Sequence, residues 1–332
     1  MKESEGIFDD SVIFVTTQGS VIGIDGGRIT VAKKGEGELA SFPIGKVDTI
    51  NVFGGINFTT PFVASANEHG IVLNYFTENG AYRGSFIPEM NTIAEIRRHQ
   101  YAQSDADKLK IAKRIIQAKI HNSRILLSRK GVKSTDKLLD IEVRILEDKN
   151  IKNTDDLMGF EGQASDIYFT LLNECLVGGW TFEKRTRRPP QDHINALMSL
   201  TYTMIKNEVQ SGLRQYNLDP YLGIMHADRH GRPALALDLM EEFRAIFADA
   251  FVLRLVNRGE ITHEDFGVDN RLIKDAFKKY LEKYDEYMKE EFIHPRFEYT
   301  VNRRKAIRMQ AILLRKAITG ELKEYHPLEY PK

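Results

Sequence analysis

Apolar residues follow two rhythms along the chain. Up to about residue 88 they fall in short, β-branched runs (SVIFVTT, SVIGID, RITVAKK, VDTINVFG and HGIVLNYFT) separated by turn residues, a pattern that predicts strands. Asp25-Gly26-Gly27 between two of these runs predicts a tight hairpin, because glycine accepts the positive φ that such a turn imposes. TPFVASANEHG, opened by Thr60-Pro61 and closed by Gly70, predicts one short helix among the strands.

From about residue 91 the spacing turns helical. TIAEIRRHQYAQSDADKLKIAKRIIQAKIHNSRILLSRKG repeats Ile111, Ile115, Ala118 and Ile125 on one face, and residues 155–176 form a second apolar helix. RPPQDHINALMSLTYTMIKNEVQ begins with prolines and carries Asp192 as its cap, and further helices are predicted at 234–257, 270–290 and 302–318. The change of period alone sets the boundary. The expected protein is α+β, with a small N-terminal β-rich domain over 1–89 and a larger all-α domain over 90–332.

Composition narrows the class. With 332 residues, 42% hydrophobic and 28% charged, the chain reads as a soluble globular protein of two domains. No run is long and apolar enough to span a bilayer, and the acidic start MKESEGIFDD does not resemble a signal peptide. Cys175 stands alone, so a reducing cytoplasm is the expected home, and its apolar surroundings suggest a packing residue. Forty-seven basic residues balance 47 acidic ones, so any affinity for nucleic acid must come from local patches. Residues 91–133 hold eleven Lys and Arg against Glu95, Asp105 and Asp107, and residues 296–316 hold seven against Glu298. The run KRTRR at 184–188 is a third cluster.

The candidate chemistry lies in YLGIMHADRHGRPALALDLMEEFR, residues 221–244. On a helix turning about 100° per residue, Leu235, Leu239, Phe243, Ile246, Phe247 and Ala250 share one face, and Asp238, Glu241 and Glu242 project from the other. Like charges one turn apart repel, so either water on an exposed face or a divalent cation in a cleft must offset them. His226 precedes them in a loop, and His226, Asp228 and His230 form an alternative triad that no helix or strand would hold rigid. Glu161 sits in the apolar helix 155–176, as a site carboxylate, a surface residue or a partner for KRTRR, with Gly162 beside it open to a close approach. A histidine with carboxylates from two helices would form a mixed nitrogen and oxygen site suited to Mg²⁺ or Mn²⁺.

Taken together, GFEGQAS, FEKRTRRPPQDHINALMSLTYTMI, LGIMHADRHGRPALALDLMEEFR and the closing YHPL resemble the CRISPR-associated integrase and endonuclease of the Cas one family, in order and spacing and over essentially the whole chain. The resemblance implies that Glu161, His226 and Glu241 are metal ligands, that Asp238 supports them, and that Arg244 is a basic residue near the site. It also implies that Asn195 stands behind the ligands or contacts DNA, and that Arg187 and Arg188 contact DNA; Asn195 reads equally well as a capping or core residue. The implied reaction is attack of a DNA 3′-hydroxyl on a phosphodiester of the CRISPR repeat, with cleavage of branched DNA at the same site. Implied partners are double-stranded or branched DNA, a second copy of the chain and a small companion subunit. The basic helices would contribute phosphate contacts. Two alternatives stay open: a non-catalytic DNA-binding scaffold of the adaptation complex, and an unrelated metal phosphodiesterase built on the HADRH loop.

Overall fold

The computed structural model describes residues 11–88, 93–186 and 189–331, arranged as two compact units. The first comprises Met1–Thr92 and Phe277–Asp285. In it, β1 (Ser11–Val15), β5 (Val47–Phe53) and β7 (Val72–Phe76) run parallel, and β8 (Tyr82–Phe86) closes the sheet antiparallel to β7. A second sheet has the order β4 (Gly37–Pro43), β3 (Arg28–Lys33), β2 (Ser20–Asp25) and β6 (Asn57–Phe58). The expected hairpin joins β2 to β3, with Asp25 opposite Arg28 and positive φ at Gly26 (52°) and Gly27 (75°). The expected helix, α1 (Thr60–Glu68), has Pro61 in its first turn and the Thr59 hydroxyl accepting from the Phe62 N–H at 3.3 Å. Both sheets and α1 share a core built on Ile22, Ile29, Ile50, Phe62 and Leu73. Phe53 on β5 stacks on Phe76 and meets Phe277 edge-on, and this parallel strand is buried on both faces.

The second unit comprises Ile93–Ala276 and Glu286–Lys332. Its helices are α2 (Ala94–Tyr101), α3 (Asp105–Arg129), α4 (Asp136–Glu147), α5 (Thr154–Leu172), α6 (His193–Gln215), α7 (Ala234–Met240) and α8 (Ala250–Asn257). The helix α9 (Lys274–Lys289) gives its middle to the first unit, and α10 (Arg303–Ile318) ends the series. The helical unit also carries one short hairpin, β9 (Glu291–Ile293) with β10 (Thr300–Asn302), in a segment whose period is too brief to read. The long basic stretch breaks into α2 and α3 because Ser104 caps the second, its hydroxyl accepting from the Asp107 N–H. Asp192 caps α6 as expected, accepting from the Asn195 N–H at 2.7 Å.

The single helix expected over 234–257 is a composite. α7 is followed by a tight 3₁₀ turn at Glu241–Phe243, a wide π segment at Arg244–Asp249, and then α8. α3 packs against α4, α5 and this composite run, while α6 packs against α7, the π segment and α10. No helix among the described residues is long and apolar enough to cross a membrane.

Candidate functional site

The three acids of the composite run do not lie on a solvated face, as a helical wheel predicts. Asp238, Glu241 and Glu242 are all buried, at 0%, 4% and 0% exposure, because α3, α6, α10 and the C-terminal segment cover the run on every side. Each acid has a separate task.

Asp238 holds the histidine loop. Its Oδ2 accepts from the backbone N–H of Ile224 (2.6 Å) and Met225 (3.1 Å), and its Oδ1 accepts from the N–H of His226 (3.1 Å) and from His226 Nδ1 (2.6 Å). A carboxylate accepting from Nδ1 places the ring proton there and leaves the Nε2 lone pair available. The turn is tight. A Cβ on Gly223 would lie 2.4 Å from the His226 carbonyl oxygen and 2.8 Å from the Ala234 Cβ, so only glycine fits. Asp228 fastens the same loop by accepting from the Gly223 N–H at 2.9 Å, while His230 is exposed; the alternative triad does not assemble.

Glu241 faces α3 and α5. Its Oε2 lies 2.8 Å from Lys119 Nζ and 2.9 Å from Arg244 Nε. Burial pushes its carboxyl upward, but Arg244, Lys119 and His226 outweigh burial and hold it at about 2. Glu161, from α5, reaches the same Lys119 ammonium and accepts from the Ser165 hydroxyl at 2.9 Å. The expected alternative partner for Glu161, the KRTRR run, is not the one observed. A Cβ added to Gly162 would meet nothing within 4 Å, so no other described part of the chain makes the close approach expected there.

Glu242 points the opposite way and ties down the C-terminal segment. It accepts from the Tyr325 hydroxyl, the Leu328 N–H and Gln310 Nε2. Burial outweighs these three donors and raises its carboxyl to about 8. Water does not offset its charge, because the closing YHPL segment covers it.

Arg244 bridges to a second buried group. Its guanidinium lies 4.7 Å from the Tyr202 ring centroid, and Arg185 lies 5.2 Å from the same ring. The hydroxyls of Tyr202 and Tyr168 both donate to Asp249, at 2.6 and 2.7 Å. Asn195 positions Arg185. Its Oδ1 accepts from Arg185 (2.7 Å) and the Thr186 N–H (2.8 Å), and its Nδ2 donates to the Lys184 carbonyl (2.9 Å) and to Asp192 (2.6 Å). With its amide fully engaged and 0% exposure, Asn195 folds the 184–186 loop onto the start of α6, in keeping with its reading as a capping or core residue. Arg187 and Arg188 lie outside the described residues.

Sequence reasoning missed Lys119, Arg185, Tyr202 and Asp249. In the sequence Lys119 counts as one more charge in a basic patch, and its position on the inner face of α3, in register with the buried Ile115 and Ile116, is the signal that could have singled it out. Other cations of the two basic stretches are also held in ion pairs. Arg114 pairs with Glu324 at 3.1 Å, Arg124 with Glu142 at 3.0 Å, and Arg304, 2% exposed, with Glu208 at 3.0 Å. Arg129, Lys130, Arg254, Arg258 and Arg303 line a pocket of about 310 Å³ beside Tyr287 and Tyr330, with Arg254 and Arg303 paired to Glu290 and Arg258 to Glu260. Cys175 is buried, and burial pushes its thiol up to about 11, which suits a packing residue.

Among the described residues, no three His, Cys, Asp or Glu side chains stand in an arrangement that could itself hold a metal ion. The donor set suits a divalent cation by its chemistry, with two carboxylates from different elements and an imidazole fixed through Nδ1, but the Lys119 ammonium sits between the carboxylates.

The sequence profile of the family described as "CRISPR associated protein Cas1" matches residues 13–286. The chain is 51% identical to CRISPR-associated endonuclease Cas1 4 of Methanospirillum hungatei, over 100% of this chain and 94% of the relative. It is 33% identical to CRISPR-associated endonuclease Cas1 3 of Thermus thermophilus, over 98% of each. The structure of a Cas1 protein from Thermotoga maritima superposes with a TM-score of 0.82 at 23% identity, covering 97% of this chain and 100% of that one. The chain belongs to the CRISPR-associated Cas1 family.

Proposed function

We propose that this protein is a metal-dependent DNA endonuclease and integrase of CRISPR adaptation, which joins the 3′-hydroxyl ends of new spacer DNA to the repeat by transesterification and cleaves branched DNA at the same site. The observation that carries this reading is the meeting of Glu161 and Glu241 on one cation, beside a histidine held through Nδ1 by a buried carboxylate. Glu161, Glu241 and His226 Nε2 are the groups that would hold Mg²⁺ or Mn²⁺. When bound, the ion supplies Lewis-acid polarisation of a phosphoryl oxygen and neutralises charge that develops there.

The chain's own residues supply position and charge. Asp238 locks the ring of His226 and its tautomer. Arg244 keeps Glu241 ionised in a buried setting and is itself braced by Tyr202. The cationic pocket around Lys130 and Arg258 is a surface for the DNA backbone, a contact that sets affinity rather than sequence choice. We further propose that the protein works as a homodimer with a small companion subunit, in the cytoplasm.

The test is Mn²⁺-dependent strand transfer and branched-DNA cleavage by wild type, Glu161→Ala, His226→Ala and Asp228→Ala. Both activities are expected to vanish in the first two variants, while Asp228→Ala retains part of its activity because it removes a loop fastening. Activity surviving Glu161→Ala and His226→Ala sinks the reading. Loss confined to Asp228→Ala favours the HADRH phosphodiesterase, and salt-sensitive DNA binding without turnover in any protein favours the scaffold.

A further inference from the structure

Among the described residues, Lys119 is the cation that touches both candidate ligand carboxylates. It projects from the middle of α3 with its side chain 14% exposed, in ion-pair contact with Glu161 on α5 and 2.8 Å from Glu241 Oε2. The two glutamates come from different elements, both packed against α3, and Lys119 on that helix is the partner their carboxylates share.

The backbone of α3 is anchored at this level. One residue-triplet further along the helix, Asn122 donates to the carbonyls of Glu242 and Leu328 (2.8 Å each) and accepts from the Tyr330 N–H at 2.9 Å. Arg244, the other cation on Glu241, is confined by its stacking over Tyr202. Lys119 differs, being a point charge on a flexible four-carbon stem that reaches partial exposure. Of the groups around the carboxylates, it is the one able to leave without moving a helix.

A lysine ammonium and a divalent cation repel strongly at contact distance, so an ion that takes Glu161 Oε1 and Glu241 Oε2 must displace the Lys119 ammonium from them. We propose that Lys119 is a place-holding cation: it keeps Glu161 and Glu241 in register while no metal is bound, and it must swing out for a divalent ion to enter. This rests on the metal-dependent reading above, which it deepens. Displacement of the ammonium is then part of the cost of metal binding, and Lys119 sets the affinity of the site. Once displaced, it stays tethered beside the metal, where a phosphate oxygen of DNA is the counter-charge available to it.

The experiment is titration of the full-length, DNA-free protein with Mn²⁺ alone, by calorimetry and by electron paramagnetic resonance of free Mn²⁺. The proteins are wild type, Lys119→Met and Glu161→Ala, with thermal melts in chelator and in Mn²⁺. Lys119→Met is expected to bind Mn²⁺ at least tenfold more tightly than wild type, to melt lower in chelator, and to gain more from Mn²⁺; Glu161→Ala is expected to lose binding. A lysine with only a structural role would lower the melting temperature without tightening Mn²⁺ binding. Lys119→Gln, which keeps a hydrogen bond without the charge, serves if Lys119→Met does not fold. If wild type binds Mn²⁺ through Glu161 and the Lys119 variants bind it equally or more weakly, the place-holding role is wrong and the metal-dependent reading stands. If none of the proteins binds Mn²⁺ at millimolar concentration, both fall.

Discussion

Replacing Asp238 with asparagine separates its two duties. The carboxylate accepts four hydrogen bonds: Ile224 N–H and Met225 N–H on Oδ2, His226 N–H and His226 Nδ1 on Oδ1. An asparagine must present its NH₂ to one of these pairs. Facing Ile224 and Met225 it would orphan two buried N–H groups, whereas facing His226 it orphans one, because the imidazole can shift its proton to Nε2 and accept at Nδ1. The second orientation is therefore favoured. One buried orphan donor costs about 1–3 kcal/mol, and a domain of this size loses roughly 2–4 °C per kcal/mol, so Asp238→Asn is expected to fold and melt several degrees lower. The functional loss is larger in kind. With the proton on Nε2 the ring no longer offers a lone pair to the site, and replacing such a partner of a metal-binding histidine typically costs about 10–100-fold.

The assays are branched-DNA cleavage in Mn²⁺ alongside ¹⁵N chemical shifts of the His226 ring. The expected outcome is a fall in rate approaching that of His226→Ala, with the ring found as the Nε2–H tautomer. Wild-type rates in Asp238→Asn, or a large rate loss with the Nδ1–H tautomer retained, would refute the reasoning. Asp238→Ala would leave all four donors unmatched, about 4–12 kcal/mol by the same scale, which is comparable with the whole stability of a typical domain; it is expected not to fold.

Two further outcomes follow from the neighbouring acids. Glu242 keeps its proton to about pH 8 in the fold, whereas an unfolded chain releases it near 4.5, so the unfolded state binds fewer protons between those values. Stability therefore falls as pH rises from about 4.5 to about 8, by up to about 1.4 kcal/mol per pH unit, and Glu242→Gln is expected to flatten that slope in urea unfolding curves taken across the range. An unchanged slope would remove Glu242 as its source. Glu241 has the opposite sign: its carboxyl is held at about 2, so its contribution is complete above the unfolded value and is lost as pH falls through the folded one. Arg244→Met removes the largest force opposing burial, so the acid-unfolding midpoint and the acidic limb of the pH–rate profile should both move to higher pH. Profiles that coincide with wild type would show that Lys119 and His226 suffice.

The elements legible in the sequence are those determined by local chemistry. The Asp25-Gly26-Gly27 hairpin, the Thr59 and Pro61 entry to α1 and the Asp192 cap of α6 each depend on residues within a few positions of one another. What stays hidden depends on which side of an element other elements cover. Lys119, Arg124 and Arg304 have the same composition signature as surface charges, yet each is paired inside the helical unit. Asn195 has the composition of a polar contact residue, but its role comes from a loop that folds back to meet it. The acids at 238, 241 and 242 depart from their expected outer face for a readable reason: residues 234–256 are apolar almost all the way round, the mark of a fully buried helix.

The composite geometry of this run also explains how one helix serves two buried clusters. Glu241 and Glu242 are neighbours in a 3₁₀ turn, where successive side chains diverge by about a third of a turn; the first meets Lys119 and the second meets Tyr325. Arg244, three residues on, returns to the side of Glu241. In an uninterrupted α-helix Asp249 would then lie about 140° away from Arg244. In the π segment, bonds between residues five apart bring both to one side. Tyr202 therefore receives the Arg244 guanidinium on its face and gives its hydroxyl to Asp249, so the cation that keeps Glu241 ionised is braced from the far end of its own turn. A wheel drawn at one fixed angle per residue cannot show this, because the extra residue in the wide turn is what carries the geometry.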